Sequence, residues 1–394
     1  MNIAFVGCGY VAAFYAATLG NYPGLKLIGA YDRDRSKLDK FARRQPLHAY
    51  ESLDELTADP AVGIVLNLTN PREHFDISKR CLEAGKHVYS EKPLGMSAQD
   101  ANALVDIAER NSLYLASAPC SVLGETAQTM WKAIREGVVG KVRLVYANFD
   151  DGMIAPRMSP WAWTNENGAA WPAQDEFEVG CTYEHAGYVL TWLAAFFGPA
   201  LNVTSFSSCQ IPDKGIAVGS MAPDFSVGCI EYADGIVARV TCGLVAPKDK
   251  SITVIGDEGV LFVGNVRNDS APVMMRRASL ASWQSGIVRR TQWLNRWLEA
   301  RLPWPGLEIA FQRQYPLVRK PIGRFVGPGK PVDFMRGPAE MADAIREQRA
   351  CRLSPQLGAH VVELVECLQY PERAGFRKTI ASAFSPMRPL PWAD

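Results

Sequence analysis

The 394-residue sequence contains no C-x-x-C pair, and its nine cysteines, scattered singly from Cys8 to Cys367, make an odd total. That pattern argues against a zinc site and a disulfide framework, and it suits a reducing compartment. No apolar run reaches the roughly 18 to 20 residues that a membrane-spanning helix needs. The opening MNIAFVGCGY lacks the basic region and apolar core of a signal peptide, so the expected location is cytoplasmic. An excess of one charge sign is also missing: 42 Lys and Arg nearly cancel 41 Asp and Glu, leaving +1. The summed field offers no general attraction for nucleic acid, and a charged partner needs a local patch. No internal repeat or low-complexity tract is evident.

What is present is apolar material, 48% of the chain, enough for two substantial cores. Ile3 to Val6 fits a buried parallel strand, ending in Gly7-Cys8-Gly9-Tyr10-Val11-Ala12 before the helical stretch AAFYAATLG. Strand-like LKLIGAYD, VGIVLNLT, HVYS and YLASAP then alternate with helical segments. This alternation predicts an α/β fold, a doubly wound parallel sheet of the Rossmann type over residues 1–120. After Pro119 one helix, GETAQTMWKAIREG, is followed mostly by β-rich segments, with Asp234-Gly235 between two of them as a hairpin turn. Residues 121–394 are therefore expected to form a second, largely antiparallel α+β domain.

The glycine turn follows the first strand, opens a helix, and is matched by Asp32 at the end of the second strand, as a dinucleotide fingerprint requires. Gly7 permits the tight turn, Gly9 lets backbone N–H groups approach a pyrophosphate, and Ala12 lets the helix pack closely. Tyr10 and Val11 complete the turn. Asp32 would accept hydrogen bonds from ribose hydroxyls, which favours NAD, while Arg33 keeps NADP open. Two further loops, Thr69-Asn70-Pro71-Arg72-Glu73-His74 and Glu91-Lys92-Pro93, stand at carboxyl ends of strands, where ligands of such sheets bind.

The combination GCGYVA, Asp32, TNPREH and GKHVYSEKPL closely resembles the Gfo/Idh/MocA family of nicotinamide-dependent oxidoreductases, which act mainly on sugars, cyclitols and related compounds. The resemblance covers about the first 115 residues. It implies that Lys92 lies beside the nicotinamide, with Glu91 near the nicotinamide ribose. It also implies that the second domain is an open mixed sheet that covers the active site and often serves in oligomerisation. The family's second-domain motif G-x-x-x-D-x-G-x-H falls here on Gly180, Glu184, Ala186 and Tyr188, so Glu184 replaces the aspartate and Tyr188 the histidine. At i and i+4, Glu184 and Tyr188 share one helical face. Tyr188 is the expected proton-transfer residue, Lys92 the cation that assists it and Glu184 the group that orients substrate hydroxyls. His185 is the alternative acid/base, its ordinary pKa of ~6.5 suiting neutral pH, although on a regular helix it is rotated away.

Trp161, Trp163 and Trp171, interleaved with Asn165, Asn167, Asp175 and Glu176, suit stacking on sugar faces or the pinning of a structural loop. A basic, Trp-rich insertion, about 274–330, carries Trp293, Leu294, Trp297, Leu298 and Leu302 at helical spacing. It is expected to contact either an anionic membrane surface or another protein face. The reading is thus an NAD(P)-dependent dehydrogenase or ketoreductase for a sugar derivative, nucleotide- or lipid-linked forms included. Two alternatives stay open: a redox-neutral glycosidase- or epimerase-type reaction with retained cofactor, and a non-catalytic dinucleotide-binding regulator.

Overall fold

The structure is a computed structural model that describes residues 1–45, 47–153, 162–165, 168–277, 290, 292–299, 301, 312–319, 332–375 and 377–394. Its first six strands are β1 (Asn2–Val6), β2 (Lys26–Tyr31), β3 (His48–Ala49), β4 (Ile64–Asn67), β5 (His87–Ser90) and β6 (Leu115–Ser117). They form one all-parallel sheet in the order β3-β2-β1-β4-β5-β6. Their apolar runs are buried on both faces because helices α1 (Ala12–Leu19), α2 (Arg35–Ala42), α3 (Leu53–Ala58), α4 (His74–Glu83) and α5 (Ala98–Arg110) connect them. The chain reverses its winding between β1 and β4, and a crevice opens there at the strands' carboxyl ends.

Gly7 closes that crevice tightly. Its φ is +97°, its N–H donates to the Tyr31 carbonyl at 2.9 Å, and an added Cβ would stand 2.7 Å from the Leu68 carbonyl carbon and oxygen. Gly9 differs, since an added Cβ would meet nothing within 4 Å. The first glycine is required by the fold, whereas the second leaves room for a ligand.

Beyond α6 (Glu125–Arg135) the topology changes to a mixed sheet of nine described strands. These are β7 (Val142–Asp150), β8 (Asn202–Ser208), β9 (Phe225–Glu231), β10 (Val237–Gly243), β11 (Ile252–Gly256), β12 (Gly259–Val263), β13 (Val273–Arg277), β14 (Arg313–Tyr315) and β15 (Lys378–Thr379). Only β7 and β10 pair in parallel; every other pair is antiparallel, so the predicted largely antiparallel sheet is found. Asp234 and Gly235, both at positive φ, make the turn from β9 to β10. Helices α7 (Ala173–Val179) and α8 (Gly187–Phe197) stand before β8, and α9 (Gln292–Glu299) belongs to the basic insertion. Helix α10 (Arg336–Arg346) packs on β5 and β6 of the first sheet, and α11 (Pro355–Gln369) packs on α5, α8 and β8.

The two sheets share one continuous apolar cluster, running from Phe5 and Tyr89 to Trp192 and Val240. Polar contacts reinforce this connection. Arg336, at the start of α10, grips both carboxylate oxygens of buried Glu125 at 2.9 and 3.2 Å, and a Cβ on Gly337 would overlap the Tyr89 hydroxyl. No helix among the described residues is long and apolar enough to cross a membrane. Trp293 and Trp297 of α9 are exposed, Leu302 lies outside the described residues, and so does most of the 274–330 insertion.

Gly7→Ala combines an unfavourable φ with a clash against backbone, and strain of that kind costs about 1–3 kcal/mol. The expected outcome is a lowered urea midpoint with an unchanged slope; an unchanged midpoint would mean that the turn is free to rearrange.

Candidate active site

The dinucleotide-type crevice has two adjoining parts. A pocket of about 250 Å³ is lined by Gly7, Asp32, Arg33, Thr69, Asn70 and Glu73. Asp32 is locked as an acceptor: one oxygen takes the Cys8 N–H at 2.7 Å and the other the Asp34 N–H at 2.8 Å. Arg33 is turned to Glu73 in an exposed ion pair at 3.1 Å. A larger cleft of about 750 Å³ continues past Gly9, Tyr10, Val11 and Asn70 into the space beneath the second sheet. His74 stands at its wall but is fully buried, and its ring nitrogens face the Pro93 carbonyl at 2.7 Å and the Thr69 carbonyl at 3.0 Å. It ties the two ligand-side loops together. The open space over Gly9, the fixed Asp32 carboxylate and the adjoining pockets fit a dinucleotide.

At the inner end, Glu91 accepts the Tyr15 hydroxyl at 2.7 Å and the Lys92 N–H at 3.0 Å. The Lys92 ammonium forms a short, hydrogen-bonded ion pair with Glu184, and the two side chains are only 16% and 4% exposed. Burial works against the charge on Lys92, yet Glu184 and then Glu176 hold its pKa above the ordinary lysine value. Burial and the adjacent Glu184 push the Glu176 carboxyl well above the usual range.

Glu184 arrives there through an irregular helix. Thr182–Ala186 is a π-helical turn, entered from Gly180 at φ +95° and continuing into α8. The wider turn changes one sequence expectation. Glu184, His185 and Tyr188 all line the cleft, whereas a regular helix would rotate His185 away. Both rings stack on Phe149 of β7, with centroids 5.2 Å away for His185 and 5.1 Å for Tyr188. Tyr183, by contrast, is a core residue whose hydroxyl donates to the Met96 carbonyl at 2.9 Å.

The environments of these two candidates differ. Burial drives the His185 pKa down to about 3, with nearby Asp151 opposing and Lys92, Lys250 and Arg267 reinforcing the shift. The imidazole is therefore neutral in ordinary buffers, its Nε2 3.5 Å from an Asp151 oxygen. Burial raises the Tyr188 phenol, while the cations Arg267 and Lys92 pull the other way. The Arg267 guanidinium carbon lies 4.7 Å from the Tyr188 ring centroid, on a ring that also stacks on Phe149.

Trp163 and Trp171 line the cleft with ring centroids 5.5 Å apart, and Asn165 reaches across to donate to the Tyr10 carbonyl at 2.8 Å. Trp161 lies outside the described residues. Sequence reasoning missed Asp151, Lys248, Lys250 and Arg267, all on the cleft wall. They come from the end of β7 and from loops after β10 and β12, where no spacing marks them. The Asp-Asp pair closing the β7 strand was the one available signal.

A parallel sheet with a glycine turn at its switch point, facing a cleft of titratable groups beneath a second sheet, defines a two-lobed dinucleotide-binding protein of the oxidoreductase type. Residues 1–118 match the profile of the oxidoreductase family with an NAD-binding Rossmann fold, and residues 127–262 match the GFO/IDH/MocA C-terminal domain. The chain belongs to the Gfo/Idh/MocA family. An uncharacterised oxidoreductase of Synechocystis is 23% identical over 67% of this chain and 72% of its own length. The trans-1,2-dihydrobenzene-1,2-diol dehydrogenase of Sus scrofa is 25% identical over 65% of this chain and 71% of its own. Among solved structures, the WlbA dehydrogenase of Bordetella pertussis, in complex with NADH and UDP-GlcNAcA, is 16% identical. Its TM-score is 0.67, with 97% of this chain and 98% of that one covered. The aldose-aldose oxidoreductase of Caulobacter crescentus, also 16% identical, gives 0.72 with 96% and 99% covered.

Removing one member of a buried ion pair costs about 3–5 kcal/mol, because the other charge is left without compensation. Glu184→Ala is expected to lower stability by that order. The double variant Lys92→Met/Glu184→Met should recover most of the loss in urea titrations, and strictly additive losses would show that the two groups do not interact.

Proposed function

We propose that this oxidoreductase uses NAD(H) to interconvert a secondary hydroxyl and a ketone on a sugar or sugar derivative, with Tyr188 as the proton-transfer residue. The observation that carries the reading is the single cleft in which Lys92, Glu184, His185 and Tyr188 stand together next to the glycine turn. Gly9, Tyr10, Asp32, Thr69 and Asn70 would hold the dinucleotide, with Glu91 and Lys92 at its nicotinamide end. When bound, the cofactor supplies or accepts the hydride. The locked Asp32 carboxylate and the pairing of Arg33 with Glu73 favour NAD over a 2′-phosphorylated cofactor.

The protein's own part is positioning and proton transfer. Tyr188 keeps its proton in the resting site, ready to give it to an alkoxide oxygen. The cations Arg267 and Lys92 stabilise the phenolate that results, and so they also allow the reverse transfer. Glu184 fixes the Lys92 ammonium and leaves it aimed at the same end of the cleft. Trp163 and Trp171 offer the aromatic surface on which a sugar ring stacks. The similarity to sugar-acting enzymes such as the aldose-aldose oxidoreductase supports this substrate class. The second sheet leaves Leu144 and Phe206 exposed, and we assign that face to self-association, to be tested by light scattering.

The pH dependence separates the two proton-transfer candidates. Carbonyl reduction needs the protonated phenol, whose pKa lies above the ordinary value of ~10. Turnover should therefore stay level through neutral pH and fall only above ~10, where tyrosine ionises. Tyr188→Phe should lose at least ~100-fold in kcat, the scale of general acid catalysis, while NADH still binds. A full rate in that variant, or a rate profile that follows an imidazole of pKa about 3, where burial drives His185, would transfer the role to His185.

A further inference from the structure

Most charges on the cleft wall are matched. Lys92 pairs with Glu184, and Lys250 pairs with Asp151 at 2.5 Å. Arg267 is different. Its guanidinium lies over the Tyr188 ring, and among the described residues it makes no ion pair and no side-chain hydrogen bond. Lys248 lines the same wall and is exposed. Among the residues lining the cleft, the end of β7 and the loops after β10 and β12 thus contribute three cations, Lys248, Lys250 and Arg267, and one carboxylate, Asp151. Their crowding leaves a physical trace. Burial and then the Arg267 charge bring Lys250 down to about 8, although Asp151 holds it. Of the other carboxyls that act on Arg267, Glu91 is engaged by the Tyr15 hydroxyl and the Lys92 N–H, and burial with the adjacent Glu184 raises the Glu176 pKa.

We propose that Arg267, assisted by Lys248 and the Lys250–Asp151 pair, is a subsite for a substrate carboxylate, so that the sugar derivative of the proposed reaction is a sugar acid. A guanidinium resting on an aromatic ring keeps its in-plane N–H donors, and these match the two oxygens of a carboxylate. The distance to Tyr188 limits where that carboxylate stands. Because Arg267 touches the ring of the proton-transfer tyrosine, the anion must be attached close to the reacting carbon, as in a uronic acid. A bulkier phosphate ester would extend further.

This inference rests on the sugar oxidoreductase reading, so its test measures binding as well as turnover. The NADH-bound protein is titrated calorimetrically with paired neutral and acidic sugars, among them glucose and glucuronate, galactose and galacturonate, and their UDP-linked forms, with glucose 6-phosphate as a further arm. At least one acid should bind about 10- to 100-fold more tightly than its neutral partner, the range expected of hydrogen bonds to a charged group. Arg267→Gln should abolish that preference and leave the NADH affinity within about twofold. Arg267→Lys should restore part of it, since a point charge without the fork is a poorer match.

Equal binding of acid and neutral partners overturns the proposal, and so does a preference that survives Arg267→Gln. A large loss of NADH affinity in that variant assigns the arginine to the cofactor's phosphates and also overturns it. Glucose 6-phosphate binding in place of the acids overturns the carboxylate assignment. Acids that bind without any nicotinamide absorbance change refute the oxidoreductase reading and leave the subsite standing.

Discussion

The buried contact between Lys92 and Glu184 is the interaction on which the rest of the cleft depends. An ammonium so deeply enclosed would ordinarily shed its proton. Here the carboxylate opposite keeps it charged, and each partner comes from a different part of the fold. Lys92 follows β5 of the parallel sheet; Glu184 belongs to the π turn below the mixed sheet. Neither charge is stable alone in that position, so the two lobes must meet in one register for either to be tolerated. The pair therefore fixes geometry more than it adds stability, in line with the general weakness of buried ion pairs as a source of net free energy. The shared apolar cluster and the Arg336–Glu125 grip hold the lobes together, and the ion pair joins them at the inner end of the cleft.

The π turn explains why the site is denser than its sequence suggests. A regular helix presents residues i and i+4 on one face, which accounts for Glu184 and Tyr188. Widening the turn also brings His185 to that wall, and Phe149 supplies a flat surface on which both rings lie. The irregularity has an identifiable beginning, since Gly180 occupies a φ that other residues rarely adopt, and its missing Cβ avoids the Gln369 side chain. Local strain at a site of converging polar groups is common, because tertiary packing must hold it.

Much of this was legible in the sequence wherever chemistry is carried by residues close together along the chain. The glycine turn, Asp32 and the strand alternation specify the first sheet, and the order around the β1/β4 switch follows from them. Glu91-Lys92 could be placed because it closes a recognisable strand. Asp151, Lys248, Lys250 and Arg267 could not. They reach one wall only after β7 and β10 pair in parallel and the loops beyond β10 and β12 fold over the end of the sheet, and pairing register leaves no signature at a fixed spacing. His185 was misdirected for a different reason: its orientation depends on one extra residue in a helical turn, which tertiary contacts impose.

The contrast between His185 and Tyr188 also shows how one electrostatic field can assign two roles. The cations Lys92 and Arg267 act on both side chains, and Lys250 on the imidazole as well. For an imidazole, positive neighbours and burial push the same way, against the charged form, so His185 is held neutral and becomes a poor proton carrier. For a phenol they oppose each other: burial disfavours the phenolate and the cations favour it. The field thus disfavours a charged imidazole, while its cations offset part of the burial cost of a phenolate. A phenol at position 188 is, in this field, the acid type whose charged form the surrounding cations favour, and the proposed proton transfer would then depend on the same cationic wall that is proposed to receive an anionic substrate.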